Sequence, residues 1–315
     1  MLTQDARLQR RLAHRRRVRR RRLGLIVLLL IALAAGLFLG LRGGGKAASA
    51  PPRTTRAKSD VTRSQTATGH GGTRKITRLS LPTTLPARTL DVPILMYHRI
   101  DMLKPGLPAI TRGLTVAPSD FAAQMRWLHA HGYHTITQLQ LFDALEHAKA
   151  LPAKPILITF DDGYRDVWLN AARVLRRLGM HATAYVITNR VSGSDPFDFL
   201  SWKQLRDLEK DGFDIGSHTL DHAELPPLTD PEALHELIQS RHTLEVHLGH
   251  PVQWFAYPSG KFDARTEALV GQAGYVLAVT TDPGSAQSAK APFALHRFEI
   301  LDTTGVSGLA SLLGS

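Results

Sequence analysis

Two short stretches of this chain hold carboxylates and imidazoles at spacings a metal site can use. Asp161 and Asp162 stand side by side after one apolar run, and His218 and His222 stand four apart after another. Imidazoles at i and i+4 converge on one ion when the segment between them coils, and one carboxylate completes a three-ligand set with positions left for water. The other carboxylate is then free to take a proton from that water, while an imidazole on the opposite side protonates a departing amine. Such a set carries out acyl transfer without a serine or cysteine. The chain has no cysteine, which removes thiolate ligands, disulfides and cysteine nucleophiles, so any metal must rest on His and carboxylates. Each pair alone also has an ordinary reading: Asp-Asp-Gly makes a turn with a helix cap, and two His in a chain with 15 are surface residues.

What separates the two readings is the elements that carry the pairs. VPILMYH (92–98), YHTIT (133–137), PILITF (155–160), ATAYVIT (182–188), FDIGSH (213–218), VQWFAYP (252–258), YVLAVT (275–280) and ALHRFEI (294–300) read as strands, most too evenly apolar for a one-sided sheet. Between them lie helical patterns capped at Ser119, at Thr137, at Ser201 with Gln204, and at Asp230 before Pro231. Alternating strand and helix implies parallel strands buried on both faces, in a doubly wound sheet or a β/α barrel. Seven or eight repeats favour a deformed (β/α) barrel, whose chemistry gathers at the carboxyl ends of strands. By that rule the first strand ends in His98, the third in Asp161 and Asp162, the fifth in His218 with His222 beyond it, and the sixth in Tyr257 and Pro258. The last strand contains His296 and Arg297.

The first ninety residues have a different texture. The chain of 315 residues carries +12 overall, but residues 1–90 hold 20 Lys/Arg against 2 Asp/Glu, while residues 91–315 hold 19 against 25. The folded part is therefore mildly acidic, which argues against a nucleic-acid-binding face. Residues 23–41 are uncharged and apolar, a length that nearly suffices to cross a bilayer as a helix, and ten arginines precede them within residues 1–22. The expected organisation is a basic cytoplasmic arm (1–22), a single transmembrane anchor (23–41), a flexible linker (42–90) rich in Gly, Ser, Thr and Pro, and an exported domain (91–315), periplasmic or extracellular. The small residues at 47–50 leave a cleaved signal peptide as the alternative.

With these residues in view, the chain resembles the polysaccharide deacetylases, carbohydrate esterase family 4. TFDDGY (159–164) resembles the first motif of that family and SHTLDH (217–222) the second. FAYPSG (255–260) and VPILMYHRI (92–100) are similar to the third motif and opening strand of its poly-N-acetylglucosamine deacetylase subgroup. The resemblance spans residue 91 to about residue 300 and implies hydrolysis of N-acetyl groups from an N-acetylglucosamine-containing polysaccharide, with no obligate protein partner. It implies Asp161 as general base, and Asp162, His218 and His222 as ligands of a divalent ion, commonly zinc. Tyr257, Pro258, Ser259 and Gly260 would shape the substrate groove, a backbone N–H near Ser259 helping to hold the oxyanion. His98 matches the subgroup's general acid, and His296 on the last strand is its rival. Two departures stand out. Ala256 replaces an Arg that pairs with the base carboxylate in many members, and Arg297 and Arg165 are the candidates, by position, to supply that cation. Ser259 stands where an aromatic residue is usual. A silent sugar-binding domain and an O-acetyl esterase are the competing functions.

Overall fold

The computed structural model describes residues 65–69, 72–191 and 199–314. The expected basic arm, the 23–41 span and most of the linker lie outside these residues. Among the described residues no helix is long and apolar enough to cross a membrane.

All eight expected strands form: β1 (Ile94–Tyr97), β2 (His134–Thr135), β3 (Pro155–Phe160), β4 (Ala182–Val186), β5 (Phe213–Ser217), β6 (Trp254–Ala256), β7 (Leu277–Val279) and β8 (Phe298–Glu299). They make one parallel sheet in the order β7-β6-β5-β4-β3-β1-β8, with β2 joined only to the first two residues of β3. β7 and β8 do not pair with each other. The gap between them is crossed by the parallel bridge Val279–Leu295, so the curled sheet is a barrel closed by one thin seam.

Besides a short helix at Ala109–Gly113, the helices are α1 (Pro118–Ala130), α2 (Gln138–His147), α3 (Ala172–Leu178, continuing a π-helical turn), α4 (Trp202–Lys210), α5 (Asp230–Leu248), α6 (Ala264–Gln272) and α7 (Gly305–Leu312). Thr137 with Gln140, and Ser201 with Gln204, form the expected capping boxes. Two expected caps shift: α1 starts after Ala117 with Pro118 in its first turn, and α5 is capped by Thr229 with Glu232, leaving Asp230 inside the first turn.

Alternation along the strands divides the core. Leu95, Tyr97, Ile158 and Phe160 face α1 and α3, and Phe255, Tyr257 and Ala278 face α5 and α6. Ile94, Leu157, Tyr185, Ala256, Val279 and Leu295 fill the inner face. α2 departs from the simple barrel pattern: it sends Leu141, Phe142 and Leu145 into this inner cluster. Gln138 at its start donates to Thr183 Oγ1 (3.2 Å) and the Tyr185 hydroxyl (2.8 Å), and its backbone N–H reaches Asp214 of β5 (2.8 Å). The barrel is thereby plugged at the strands' amino ends, and the carboxyl ends stay open.

The packed domain begins before residue 91, which corrects the linker boundary. Leu79, Leu81 and Leu90 pack against the inner cluster, and the amide of Gln253 exchanges hydrogen bonds with the Leu79 backbone (2.7 and 2.8 Å). Arg88 donates to the carbonyls of Ala144 and Leu145 at the end of α2 (2.9 and 2.6 Å), which satisfies two acceptors a helix leaves open. Thr89–Asp91 then pairs antiparallel with Ala286–Ser288. Residues 78–91 thus form a strap across the plugged end.

Candidate metal centre and active site

The open end is assembled from strand β3 outward. Thr159 and Asp161, two apart, project to the same inner side, and the Asp161 N–H extends the ladder to the Tyr97 carbonyl (2.9 Å). Asp162 and Gly163 then both take left-handed backbone (φ 72° and 81°). Glycine is needed at 163, since a Cβ there would lie 3.1 Å from Val186 Cγ1 in a conformation side chains disfavour. From β5, the His218 N–H bonds the Val186 carbonyl (2.9 Å), and the chain coils through left-handed Thr219 (φ 64°) and His222 (φ 62°). Glu236 of α5 clamps this loop by accepting the N–H groups of Leu220 (3.0 Å) and Asp221 (3.2 Å). Backbone in this region costs of order 1–3 kcal/mol per residue and persists where its surroundings over-determine it.

These turns bring Asp162, His218 and His222 together. Asp162 Oδ1 lies 3.5 Å from Nε2 of His218 and 3.5 Å from Nε2 of His222. Two arms of about 2.1 Å at a tetrahedral angle span roughly 3.4 Å, which both edges from Asp162 match, and the three ligand atoms all lie within 4.8 Å of one another. His218 Nδ1–H donates to the Ala256 carbonyl (2.8 Å), which leaves the Nε2 lone pair toward the cluster, the tautomer a metal ligand needs. Burial holds the His218 pKa below the ordinary histidine value despite the nearby charges of Asp161 and Asp162, so the ring is neutral and able to ligate. The donor set fits a divalent cation.

Asp161 takes the other environment. It is 2 % exposed, and burial alone would raise its pKa. Arg297, itself fully buried, donates from Nη1 to Oδ1 (2.8 Å) and from Nη2 to Oδ2 (2.7 Å), and this fork holds the carboxyl well below the usual carboxylate range. Arg297 is satisfied on its remaining sides by Thr280 O (2.7 Å) and Thr159 Oγ1 (3.1 Å). The cation absent at Ala256 is therefore supplied from the last strand segment. Arg165 makes no bond to Asp161, and its Nε is buried without a partner.

The two histidines proposed as acids are placed differently. His98 is close enough for its charge to act on Asp161, and its buried Nδ1 has no partner. His296, whose Nδ1 is likewise buried without a partner, lies between inward-facing Leu295 and Arg297, so period-2 alternation turns it to the other side, beside Gly284. Of the third motif, Pro258, Ser259 and Gly260 form a tight turn at the end of β6, with Ser259 left-handed (φ 55°). Tyr257 is a correction: its ring is fully buried between Phe255 and Phe262 on the helix side, so it lines no groove. Sequence reasoning missed the Glu236 clamp, which sits mid-helix without any local signal.

Residues 148–278 match the family model described as Polysaccharide deacetylase. Over 219 residues the chain is 34 % identical to YxkH of Bacillus subtilis, whose name places it among the polysaccharide deacetylases, covering 70 % of this chain and 74 % of that one. The chain belongs to the polysaccharide deacetylase family. This deacetylase is also 28 % identical over 234 residues to the poly-beta-1,6-N-acetyl-D-glucosamine N-deacetylase of Staphylococcus epidermidis, covering 66 % of this chain and 80 % of that one. Among solved structures, the deacetylase PplD of Streptococcus pyogenes in complex with acetate superposes with a TM-score of 0.66 at 27 % identity, covering 71 % of this chain and 99 % of that one. The parallel α/β barrel is the fold shared with that structure.

Proposed function

We propose that the chain is a metal-dependent N-deacetylase of an N-acetylglucosamine polymer, presented outside the cytoplasm by the 23–41 anchor. The observation that carries the reading is the division of the two adjacent aspartates: Asp161 is fixed by Arg297 and kept ionised, while Asp162 faces two imidazole nitrogens at 3.5 Å. Pairs of like groups driven into unlike environments are how one site obtains both a base and a ligand.

Asp162, His218 and His222 would hold a divalent ion, commonly zinc in the family the motifs resemble, and when bound it would supply Lewis acidity toward the water and the acetyl carbonyl. Asp161 accepts the proton that water releases as its oxygen bonds to the carbonyl carbon. The Ser259 backbone N–H donates to the developing oxyanion. His98 delivers a proton to the amide nitrogen as the C–N bond breaks, giving acetate and a free amine on the sugar. The supports for the polymer are the Staphylococcus epidermidis relative and the matching opening strand.

The test is release of free amines from poly-β-1,6-N-acetylglucosamine, chitin oligomers and peptidoglycan by residues 77–315. Activity on the first substrate, abolished by chelation, by Asp161→Asn and by His222→Ala, is expected. Equal amine release from all three altered conditions sinks the proposal, and activity confined to O-acetyl groups transfers it to an esterase.

A further inference from the structure

The three candidate ligands are not held alike. His218 is buried at the end of β5 with its Nδ1 fixed on the Ala256 carbonyl (2.8 Å), whereas the His222 side chain is 35 % exposed, against 3 % for His218 and 12 % for Asp162. The His222 ring rests edge-to-face on His218 (4.8 Å between centroids) with Nε2 3.5 Å from Asp162, so its remaining support is the loop that carries it. That loop begins and ends in left-handed backbone, Thr219 at φ 64° and His222 at φ 62°, a conformation that persists where the surroundings over-determine it. Its carbonyl side is held by residues 188–189. The N–H groups of Thr188 and Asn189 reach the carbonyls of Thr219 (3.2 Å) and Leu220 (3.0 Å), and the Asn189 side-chain amide donates to Asp221 Oδ1 (2.9 Å). The N–H side is held by a single atom: Oε2 of Glu236 accepts from both Leu220 (3.0 Å) and Asp221 (3.2 Å), filling the anion-binding hollow that consecutive N–H groups make in a turn. Glu236 projects from α5, whose buried face runs through Ala233, Leu237 and Ser240. Ser240, one turn beyond Glu236, shares a buried 2.8 Å hydrogen bond with Ser217, the residue before His218. One helix therefore meets the ligand segment at two points, ahead of His218 and ahead of His222.

We propose that Glu236 is a positioning residue for the metal centre, its carboxylate holding the 219–222 loop in the coil that brings His222 to the ion. The inference rests on the metal reading above and extends it to the supports behind the ligands, where loss of such a partner costs about 10- to 100-fold in metal affinity. The bonds of Glu236 go to the loop backbone, so it acts through His222.

In the full chain, solubilised in detergent, Zn2+ affinity is read by competition with a chromogenic chelator, and ligand geometry by the visible spectrum of the Co2+-loaded protein. Glu236→Ala is expected to raise the dissociation constant about 10-fold or more and to alter the Co2+ spectrum. Glu236→Gln loses the charge but keeps an oxygen acceptor, whereas Glu236→Asp keeps the charge and withdraws its oxygens by one methylene. The glutamine variant is expected to bind Zn2+ more tightly than the aspartate variant, and this order carries the test where Glu236→Ala folds poorly. The reverse order marks an effect of charge alone and overturns the proposal. In a His222→Ala background, Glu236→Ala is expected to cost no further affinity, because the residue it positions is gone. An equal loss in both backgrounds, or affinity and Co2+ spectrum unaltered by Glu236→Ala, overturns the role of Glu236 while leaving the metal site standing. A His218→Ala protein that binds Zn2+ as tightly as the unaltered one overturns the metal reading itself.

Discussion

Asp161 and Arg297 meet from positions 136 residues apart in the chain, and each is left with a buried charge when the other is removed. Breaking a buried pair in this way typically costs about 3–5 kcal/mol. Asp161→Asn is therefore expected to lower stability by roughly 3 kcal/mol as well as to abolish turnover, and urea denaturation of the variant separates the two effects. A variant as stable as the unaltered protein would show that Asn replaces the fork. The choice of proton donor is equally a matter of single residues. His98→Ala is expected to reduce kcat by about 100-fold or more, and His296→Ala to leave it within a few-fold, in steady-state assays. The reverse ranking would move the role to the last strand.

At the level of elements, the sequence showed the eight strands clearly because each is buried on two sides, and an unbroken apolar run has few other meanings. It showed Asp161, Asp162, His218 and His222 because they fall where those runs stop. What it did not show depends on which way a side chain turns. Tyr257 ends a strand just as His98 does, yet it shares the outward side with Phe255, and Ala256 between them is the inward residue. Period-2 alternation applied to 255–257 and to 295–297 carries that signal. The plug made by α2 had no signal, since an amphipathic helix looks the same whether it covers a barrel or closes it. One joint between elements predicts a pH effect. His250, ahead of β6, bonds Glu209 of α4 through Nε2, and although burial pulls its pKa down, the Glu209 carboxylate brings the net shift above the ordinary value. A raised folded-state pKa stabilises fully below the unfolded value of about 6.5 and is lost as pH rises through the folded one. Thermal unfolding should show the unaltered protein losing more stability than Glu209→Gln as pH is raised from about 6.5; parallel curves would exclude the pair as the source.

For the whole molecule, the plugged and open ends divide the work: one end carries the strap and plug, and the other carries most of the left-handed backbone, although Ala148 and Lys154 at the plugged end also have positive φ. Asp162, Thr219, His222 and Ser259, all with positive φ, lie at the open end. The strap belongs to the plugged end, and its three half-buried leucines with the Gln253 and Arg88 hydrogen bonds amount to a contribution on the order of 3 kcal/mol. A chain beginning at residue 92 is expected to melt well below one beginning at residue 77, as followed by circular dichroism, and equal melting temperatures would mean that the strap is ornamental.

The strap also decides how the enzyme can be held. Arg78 is pinned by Glu245 near the tail of α5, on the side where the strands begin, so whatever grips the protein from upstream grips it by its closed base.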